Sequence, residues 1–254
     1  VCLLSQSILL NLFDQLDAQQ LQESANQLHR GWQQELLHLA LLSRDWAWWD
    51  DSFEFVQKPS QAFIDRNFHE DTLTTLNINF LLYFDRQGRL VQALWNKPPT
   101  KELSGPLEFN ELQTQTIDQL AELRLISWRK NPEDTRSTVF NLEGMPVLAT
   151  STPITNSAFE GEPAGTLIMG YFATPARLKE MQDRLLQPFE VEPGQPHQAD
   201  FLNLKGNSAI AGLTAWLSPR VVGGNQQQTN LILQSFNQQP VLTLHLNRDR
   251  PIYQ

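Results

Sequence analysis

Residues 76–95, LNINFLLYFDRQGRLVQALW, carry the pattern that decides the fold class. Leu76 to Phe84 and Leu90 to Trp95 are rich in the apolar and aromatic residues that strands favour, and Asp85 to Gly88 between them is typical of a tight turn. Gly88 can adopt the positive φ that such a turn requires. The stretch therefore predicts a β-hairpin.

A second hairpin and a fifth strand follow along the chain. Thr138 to Leu142 and Met145 to Ile154 flank the turn residues Glu143-Gly144, and Thr166 to Ala173 (TLIMGYFA) is another short apolar run. Runs of this length and composition, separated by glycine-containing turns, indicate strands rather than helices. Together with the first hairpin they predict an antiparallel sheet.

Three stretches have helical periodicity instead. Asp14 to Val56 lacks Pro and repeats an apolar residue about every 3.6 positions, which predicts one long helix, followed by a linker at QKPSQAF, 57–63. Leu107 to Trp128 and Ala176 to Leu186 predict shorter helices, the second with Pro175 in its first turn. The order helix, hairpin, helix, hairpin, strand, helix predicts an α+β fold with helices packed against an antiparallel sheet.

The apolar stripe of the long helix leaves two interpretations open. It can pack along its whole length on the domain's own core, as most amphipathic helices do. A helix of about 40 residues is long for a globular domain, however, so its first half can instead extend outward and form a homodimer with a second copy of the chain.

The pattern is weaker after Pro188. Four features are assigned there: a linker at Glu192–Pro196, a short helix at Ser208–Leu217, a polar loop at Val222–Gln228, and a last hairpin made of Leu231–Phe236 and Val241–Leu246.

Composition excludes some classes of protein. Nineteen Lys and Arg against 28 Asp and Glu give a net charge of -9, which argues against nucleic acid as the main partner. With 41% hydrophobic residues, the 254-residue chain is expected to bury roughly 70–75% of its unfolded surface, so a disordered tail is also excluded.

The chain ends carry a separate expectation. The opening VCLLSQSILLNLF is apolar but interrupted by polar residues, and it falls short of the ~20 residues that a membrane-spanning helix needs. The chain begins at Val1 without an initiator Met and stops after Tyr253-Gln254. We interpret it as a fragment whose two ends continue in a longer protein.

Motifs for catalysis or cofactors are missing from the sequence. There is no G-x-S-x-G, P-loop, strand-G-x-G-x-x-G-helix unit or H-E-x-x-H, the five histidines stand alone, and Cys2 is the single cysteine. We therefore predict no catalytic residue, no metal site and no cofactor.

Residues 45–51, DWAWWDD, depart from this background with three Trp and three Asp in seven positions. On one continuous helix Trp46, Trp49 and Asp50 share a face, and aromatic walls with a carboxylate are suited to an amine or another amphipathic small molecule. The alternative is structural, with the Trp side chains in the core and the acids bonded to backbone amides. Three acids near a helix C-terminus would oppose the helix dipole.

Several blocks of the sequence, taken together, resemble a known family. The blocks DWAWWDDSFEFV, FIDRNF, LNINFLLYFDRQGRLV, LEGMPVLATSTPIT, EGEPAGTLIMGYF and RDRPIYQ look like the fourth subtype of the CHASE extracellular sensor domains. The similarity covers about Leu28 to Thr174 and the last 15 residues. It departs from the family at Tyr171, where many members have Arg, at Asn237-Gln238-Gln239, which replaces an Asp-x-Gly turn, and over Gln187 to Asn230.

The resemblance implies a PAS-like (Cache-like) fold outside the cytoplasmic membrane, between two transmembrane helices. Inside the cell such domains are followed by diguanylate cyclase (GGDEF), EAL phosphodiesterase or histidine kinase modules. On this basis the chain divides into a membrane-proximal long helix at 1–56, a PAS-like sensor core at 57–187, and a C-terminal extension at 188–254 whose final hairpin returns to the membrane.

Two functions follow as hypotheses. The first is a periplasmic small-molecule sensing domain of an inner-membrane receptor, without catalysis of its own, that controls cyclic-di-GMP turnover. The second is a constitutive dimerisation or protein-interaction module without a small-molecule ligand. A closed pocket lined by Trp46 or Trp49 favours the first and a filled core the second. A hydrolase using Asp50 and Asp51 is disfavoured because adjacent helical side chains point about 100° apart.

The expected ligand-binding residues converge where the strands face the Trp-Asp segment: Trp46, Trp49, Asp50, Tyr83, Arg129, Phe140, Met169 and Tyr171. Arg129 is the candidate for an acidic group on an amine or amino-acid-like ligand. Phe80 and Leu82 are further candidates, but strand alternation cannot turn both Leu82 and Tyr83 inward.

The last expectation concerns signalling. Because both ends must approach one membrane, we expect the long helix to lie beside the exit of the final strand, Leu246–Tyr253.

Overall fold

The structure is a computed structural model that describes residues 2–99 and 108–250. The helices in these ranges are α1 (Cys2–Ala47), α2 (Asp50–Gln57), α3 (Gln61–Asn67), α4 (Thr72–Thr75), α5 (Phe109–Glu122) and α6 (Pro175–Leu185). A first sheet contains β1 (Phe80–Asp85), β2 (Leu90–Trp95), β3 (Arg136–Leu142), β4 (Met145–Ile154) and β5 (Gly165–Phe172). A second sheet contains β6 (Glu190–Pro193), β7 (Leu202–Leu204), β8 (Ala215–Leu217), β9 (Val221–Gly223), β10 (Gln226–Gln234) and β11 (Pro240–Asp249).

The first sheet is antiparallel and has the strand order β2-β1-β5-β4-β3. Both of its predicted hairpins are confirmed, β1 with β2 and β3 with β4. Gly88 has the expected positive φ of 76° in the first turn. The predicted fifth strand is β5, which lies in the centre between β1 and β4 because its residues are apolar on both faces.

Each face of the first sheet is covered by helices, so it has two cores. On one face Leu81, Tyr83 and Met169 belong to the core that includes α1 and α2. On the other face Phe80 and Phe140 pack with residues of α5. The alternation of side chains along each strand separates the two sets.

Helix α1 is the longest element, 46 residues or about 69 Å. From Leu21 onward one side is buried, as the 3.6-residue period predicts, and it packs on β3, β4 and β5 and also on β10 and β11. Ile8, Leu9, Leu10, Leu12 and Leu16 are half exposed, so the extending part is shorter than half the helix. Within the described residues, no helix combines the length and apolarity needed to cross a membrane.

The prediction of one helix up to Val56 was wrong at its C-terminal end. Helix α1 ends at Ala47, whose carbonyl accepts a hydrogen bond from the Thr155 N–H at 3.0 Å, and Trp49 is extended before α2 begins. The predicted linker at 57–63 contains the end of α2 and the start of α3. Pro59 separates these two helices, and the Ser60 hydroxyl caps α3 by accepting the Phe63 N–H.

Helix α5 is shorter than predicted. It ends at Glu122, before Trp128, because Arg124 adopts a positive φ of 56° just after the C-cap. Its predicted start at Leu107 lies outside the described residues. Helix α6 is confirmed, with Pro175 in its first turn and Leu186 in the left-handed conformation after its end.

The second sheet has the order β6-β11-β10-β8-β7, with β9 also paired to β10. The last hairpin is confirmed, but the predicted helix at Ser208–Leu217 was wrong because it contains β8, and the polar loop at Val222–Gln228 was wrong because β10 begins at Gln226. The linker at Glu192–Pro196 overlaps β6. Gln227 is a buried residue of β10 whose side chain hydrogen-bonds the Asp17 carbonyl and Arg220. Because it is polar, it interrupts the apolar alternation that would have predicted this strand.

The final strand leaves the fold beside α1, as expected. Arg250 donates to the carboxylate of Asp14 at 2.9 Å and lies 3.5 Å from that of Asp17. Arg220 donates to the other oxygen of Asp14 at 2.7 Å. Residues 251–254 of the expected exit lie outside the described residues, but Arg250 lies beside the fourth and fifth turns of α1.

The space around two glycines predicts that an alanine substitution destabilises the fold at one of them and not at the other. A Cβ at Gly170 would overlap the Phe80 ring and the Leu148 carbonyl, so Gly170→Ala is expected to lower the free energy of unfolding by about 1–3 kcal/mol. Gly223→Ala is the matched control, because no atom lies near its added methyl group, and a change within about 0.5 kcal/mol is expected. Equal losses in urea denaturation would contradict this packing.

Candidate functional site

The break between α1 and α2 changes the role of the Trp-Asp segment. Asp50 and Asp51 lie in the first turn of α2, where the helix dipole favours negative charge. The expected opposition between these acids and a helix C-terminus is therefore wrong. The shared helical face of Trp46, Trp49 and Asp50 is also lost, because Trp49 is extended.

The carboxylate of Asp50 is bonded to the loop between β4 and β5. It accepts the backbone N–H of Ser157 at 2.8 Å and the Ser157 hydroxyl at 2.9 Å. The Ser157 backbone N–H, followed by its hydroxyl, holds the pKa of the Asp50 carboxyl below its ordinary value. Asp50 thus ties the helix break to the first sheet, which fits the structural alternative for this acid.

Three of the predicted residues meet in one aromatic cluster. Trp46 contacts Trp49 edge-on at 6.3 Å between ring centroids, and Trp49 lies 6.1 Å from Phe63. The Phe63 ring is 6.2 Å from that of Tyr83. Tyr83 is buried, its hydroxyl lies 3.2 Å from the Ser52 hydroxyl, and burial raises its pKa. Aromatic side chains fill the space beside Tyr83.

Met169 and Tyr171 lie on the same sheet face, further along β5. Met169 is fully buried. The Tyr171 hydroxyl donates to Glu35 of α1 at 2.8 Å, and Arg177 of α6 stacks on its ring at 4.4 Å. Burial, followed by the nearby Glu35 charge, raises the pKa of Tyr171. Glu35 also pairs with Arg184 of α6, so this group of side chains joins α1, β5 and α6.

Phe140 and Arg129 are apart from that cluster. Phe140 is on the opposite sheet face under α5, so one pocket cannot contain both Phe140 and Tyr83. Arg129 is buried, which lowers its pKa to about 10, and its guanidinium donates to the Asp134 and Leu125 carbonyls and the Ser151 hydroxyl. These bonds hold the segment between α5 and β3. The expected convergence of all eight residues in one pocket is therefore wrong.

A cleft of about 470 Å³ opens beside this cluster, between α2 and α3. Phe55 and Phe63 are stacked at 4.2 Å in its floor. Its rim carries both signs of charge: Asp51, Glu54, Lys58 and Arg66. Asp51 and Arg66 form an ion pair at 3.7 Å on this rim, with both side chains exposed to solvent. We refer to it as the α2–α3 cleft.

Sequence reasoning missed the α2–α3 cleft because it placed Asp50–Val56 on the long helix and 57–63 in a linker. Pro59 was the available signal. Because proline cannot continue a helix, its position between two apolar-periodic stretches favours two short helices joined by a bend.

Residues 32–192, well over half of the chain, match the CHASE4 domain family. The chain belongs to the CHASE4 family. The resemblance noted in the sequence is thereby confirmed.

One curated relative of this CHASE4 domain is the methanogenesis regulatory histidine kinase FilI of Methanothrix harundinacea (strain 6Ac). The two are 29% identical over 140 residues, which is 54% of this chain. The chain spans only 15% of the relative's length.

Solved structures extend the comparison to the fold. The periplasmic domain of Vibrio cholerae LuxQ matches with a TM-score of 0.54 and 11% identity, over 91% of this chain and 100% of that one. The sensor domain of the V. cholerae histidine kinase DctB has a TM-score of 0.48 and 10% identity, over 93% and 98% of the two chains. The predicted α+β, PAS-like (Cache-like) fold with a long N-terminal helix is confirmed.

The Asp50–Ser157 bond predicts a specific pH dependence. A carboxyl with a lowered pKa stabilises the folded CHASE4 domain above its unfolded-state pKa of about 3.9, and this contribution is lost as pH falls through the lower folded-state pKa. Asp50→Asn is therefore expected to be less stable than the parent at pH 7, with the difference shrinking toward pH 3.

Thermal unfolding at both pH values tests the prediction. Ser157→Ala is the control in the Asp50→Asn background, where removing the hydroxyl should cost less than it does in the parent. An Asp50→Asn difference that is constant with pH would show that the bond does not stabilise the fold.

Proposed function

We propose that this CHASE4 domain is the periplasmic sensor part of a transmembrane receptor and carries no catalysis itself. The observation that carries the proposal is the contact of Arg250 with Asp14 and Asp17, which brings the end of β11 beside the fourth and fifth turns of α1. A domain inserted between two membrane spans must return its chain to the side from which it came. This arrangement meets that requirement.

The route for a signal is α1. It packs on both sheets, and the Tyr171–Glu35–Arg184 contacts connect it to β5 of the first sheet and to α6. A shift of the first sheet would therefore move α1 relative to β11. A coupling free energy of about 1–3 kcal/mol is enough to bias a two-state output.

A small amine or amino-acid-like molecule is the ligand we propose for the α2–α3 cleft. Glu54 offers a carboxylate to an ammonium group and Lys58 a partner for a carboxylate, while Asp51 and Arg66 would join them by opening their exposed ion pair. Trp49, 37% exposed, lies beside the cleft through its contact with Phe63. This keeps the predicted ligand class and moves the site by one helix turn from Asp50.

Two output modules are supported by different observations. The sequence resemblance favours control of cyclic-di-GMP turnover, while the name of the FilI relative favours a histidine kinase. We propose the histidine kinase as the output module, because the relative matches over the sensor region itself.

The second candidate function is a constitutive dimerisation module without a small-molecule ligand. It is favoured by the filled space beside Tyr83 and by the exposed Leu9, Leu12 and Leu16, whose spacing of three and four residues suits pairing of two α1 helices.

The location can be tested in the full-length receptor in its native membrane. With Cys2 and every cysteine outside this chain replaced by Ala, Val222→Cys places a thiol at a position that is 42% exposed on the second sheet. A membrane-impermeant maleimide is expected to label it in intact cells. Labelling that requires permeabilised cells would place the domain on the cytoplasmic side and overturn the proposal.

Ligand binding can be tested by a thermal-shift screen of amines, amino acids and organic acids on the chain. A ligand at 100 times its dissociation constant raises stability by ~2.7 kcal/mol. Glu54→Gln is expected to weaken the binding of a hit by about 1.5–3 kcal/mol, the value of a hydrogen bond to a charged group.

The matched control is Glu70→Gln, which removes the same charge from an exposed residue outside the cleft. Equal loss in both variants would contradict the site. A screen without any hit would favour the dimerisation module.

A further inference from the structure

A second cleft, of about 300 Å³, lies where the two sheets meet. On one side lie the end of α5 and the end of β3, and on the other lie the end of β6, the β10–β11 turn and the start of β11. We refer to it as the inter-sheet cleft. Phe140, expected to bind a ligand but absent from the aromatic cluster, is one of its lining residues.

The walls of the inter-sheet cleft are fixed by contacts between the two sheets. The Phe236 N–H donates to the Thr138 hydroxyl at 2.9 Å, and the Arg136 guanidinium stacks on the Phe236 ring at 5.1 Å. Within the β10–β11 turn, the Ser235 N–H donates to the Gln239 carbonyl at 2.9 Å. The cleft is therefore a preformed feature, as binding sites for small molecules usually are.

The lining of the inter-sheet cleft is rich in amides and poor in charge. Its polar side chains are Gln119, Glu122, Asn141, Ser235, Asn237 and Gln239, and its described lining includes no Lys or Arg. The one carboxylate, Glu122, already accepts a hydrogen bond from Gln119 at 2.9 Å. A ligand anion would find no cation here, and a ligand cation would find one exposed carboxylate that is already hydrogen-bonded.

Several of these amide groups are available to a ligand. Asn141 uses its oxygen to accept the Gly144 N–H, and Asn237 uses its oxygen to accept the Ser235 hydroxyl. Among the described residues, no side-chain hydrogen bond engages the amide nitrogens of Asn141 and Asn237 or the side chain of Gln239. Pro193, Pro240 and Val241 supply apolar surface beside them.

We propose that the inter-sheet cleft binds a neutral polyhydroxy compound, such as a monosaccharide or a polyol. Amide side chains both donate and accept hydrogen bonds, as adjacent hydroxyl groups do, while proline and valine surfaces suit the C–H faces of such a molecule. The inter-sheet cleft lies on the face of the first sheet away from the α2–α3 cleft. It is therefore a second site, separate from the proposed amine site.

Occupancy of the inter-sheet cleft would have a mechanical effect. The ligand would touch α5 and β3 on one side and β6 and the β10–β11 turn on the other. It would add to the contacts of Phe236 with Thr138 and Arg136 that already join the two sheets, and so stabilise the present arrangement of α1 and β11. The two clefts would then affect the same output from different places.

Calorimetric titration of the purified chain with glucose, galactose, ribose, inositol and mannitol tests the proposal. At least one of these is expected to bind, and the double substitution Asn237→Ala, Gln239→Ala is expected to weaken it at least about tenfold, the effect of losing one to two hydrogen bonds. The control is Gln228→Ala, Asn247→Ala, which removes the same two residue types from exposed positions at the other end of the same hairpin. It should leave binding unchanged.

Three results would overturn the proposal: no binding of any of the five compounds at millimolar concentration, equal binding by the parent and the Asn237→Ala, Gln239→Ala variant, or stronger binding of glucosamine or gluconate than of glucose. Unfolding temperatures of the unliganded variants distinguish loss of a contact from loss of the fold. The Glu54→Gln experiment reports on the other cleft, so failure of either proposal is visible separately.

Discussion

The burial of one face of α1 against two sheets is the constraint on which the rest of the structure depends. Leu28, Trp32 and Leu36 are fully buried, and the same helix packs on β4 and β5 at one level and on β10 and β11 at another. At about 25 cal/mol per Å² of apolar surface, each such side chain contributes on the order of 2 kcal/mol. Gly31 lets α6 approach the same helix, because a side chain there would displace the Leu185 side chain of α6.

The elements that could be predicted from the sequence are those with an uninterrupted period. The β1–β2 and β3–β4 hairpins and helix α6 follow their patterns closely, because each has a core face and a clear turn or proline at its boundary. The end of α1 at Ala47 could not be predicted in this way, because the Ala47 carbonyl accepts a hydrogen bond from the N–H of Thr155, more than 100 residues along the chain. Local spacing does not contain that partner.

The second sheet was hidden for a different reason. Its β7, β8 and β9 strands have three residues each, too few to show alternation, and the buried side of β10 includes Gln227 and Thr229, which are satisfied by hydrogen bonds. Prediction of the candidate site was limited in the same way, because local sequence patterns do not show which residues meet in space. Sequence identified the Trp46 and Trp49 neighbourhood correctly as aromatic and near Tyr83, but the separation of Phe140 from Tyr83 depends on strand register and on which face each helix covers.

The uninterrupted course of α1 gives the molecule a lever arm. Between Asp14, where the end of β11 is attached, and Ala47, where the Trp-Asp segment begins, the helix is about 50 Å long. A tilt of ~2° at the far end displaces the near end by ~2 Å, which is the size of the helix shifts that switch subunit interfaces in other proteins. A stiff helix can therefore carry a small change at the first sheet to the end of β11, where it becomes a larger displacement.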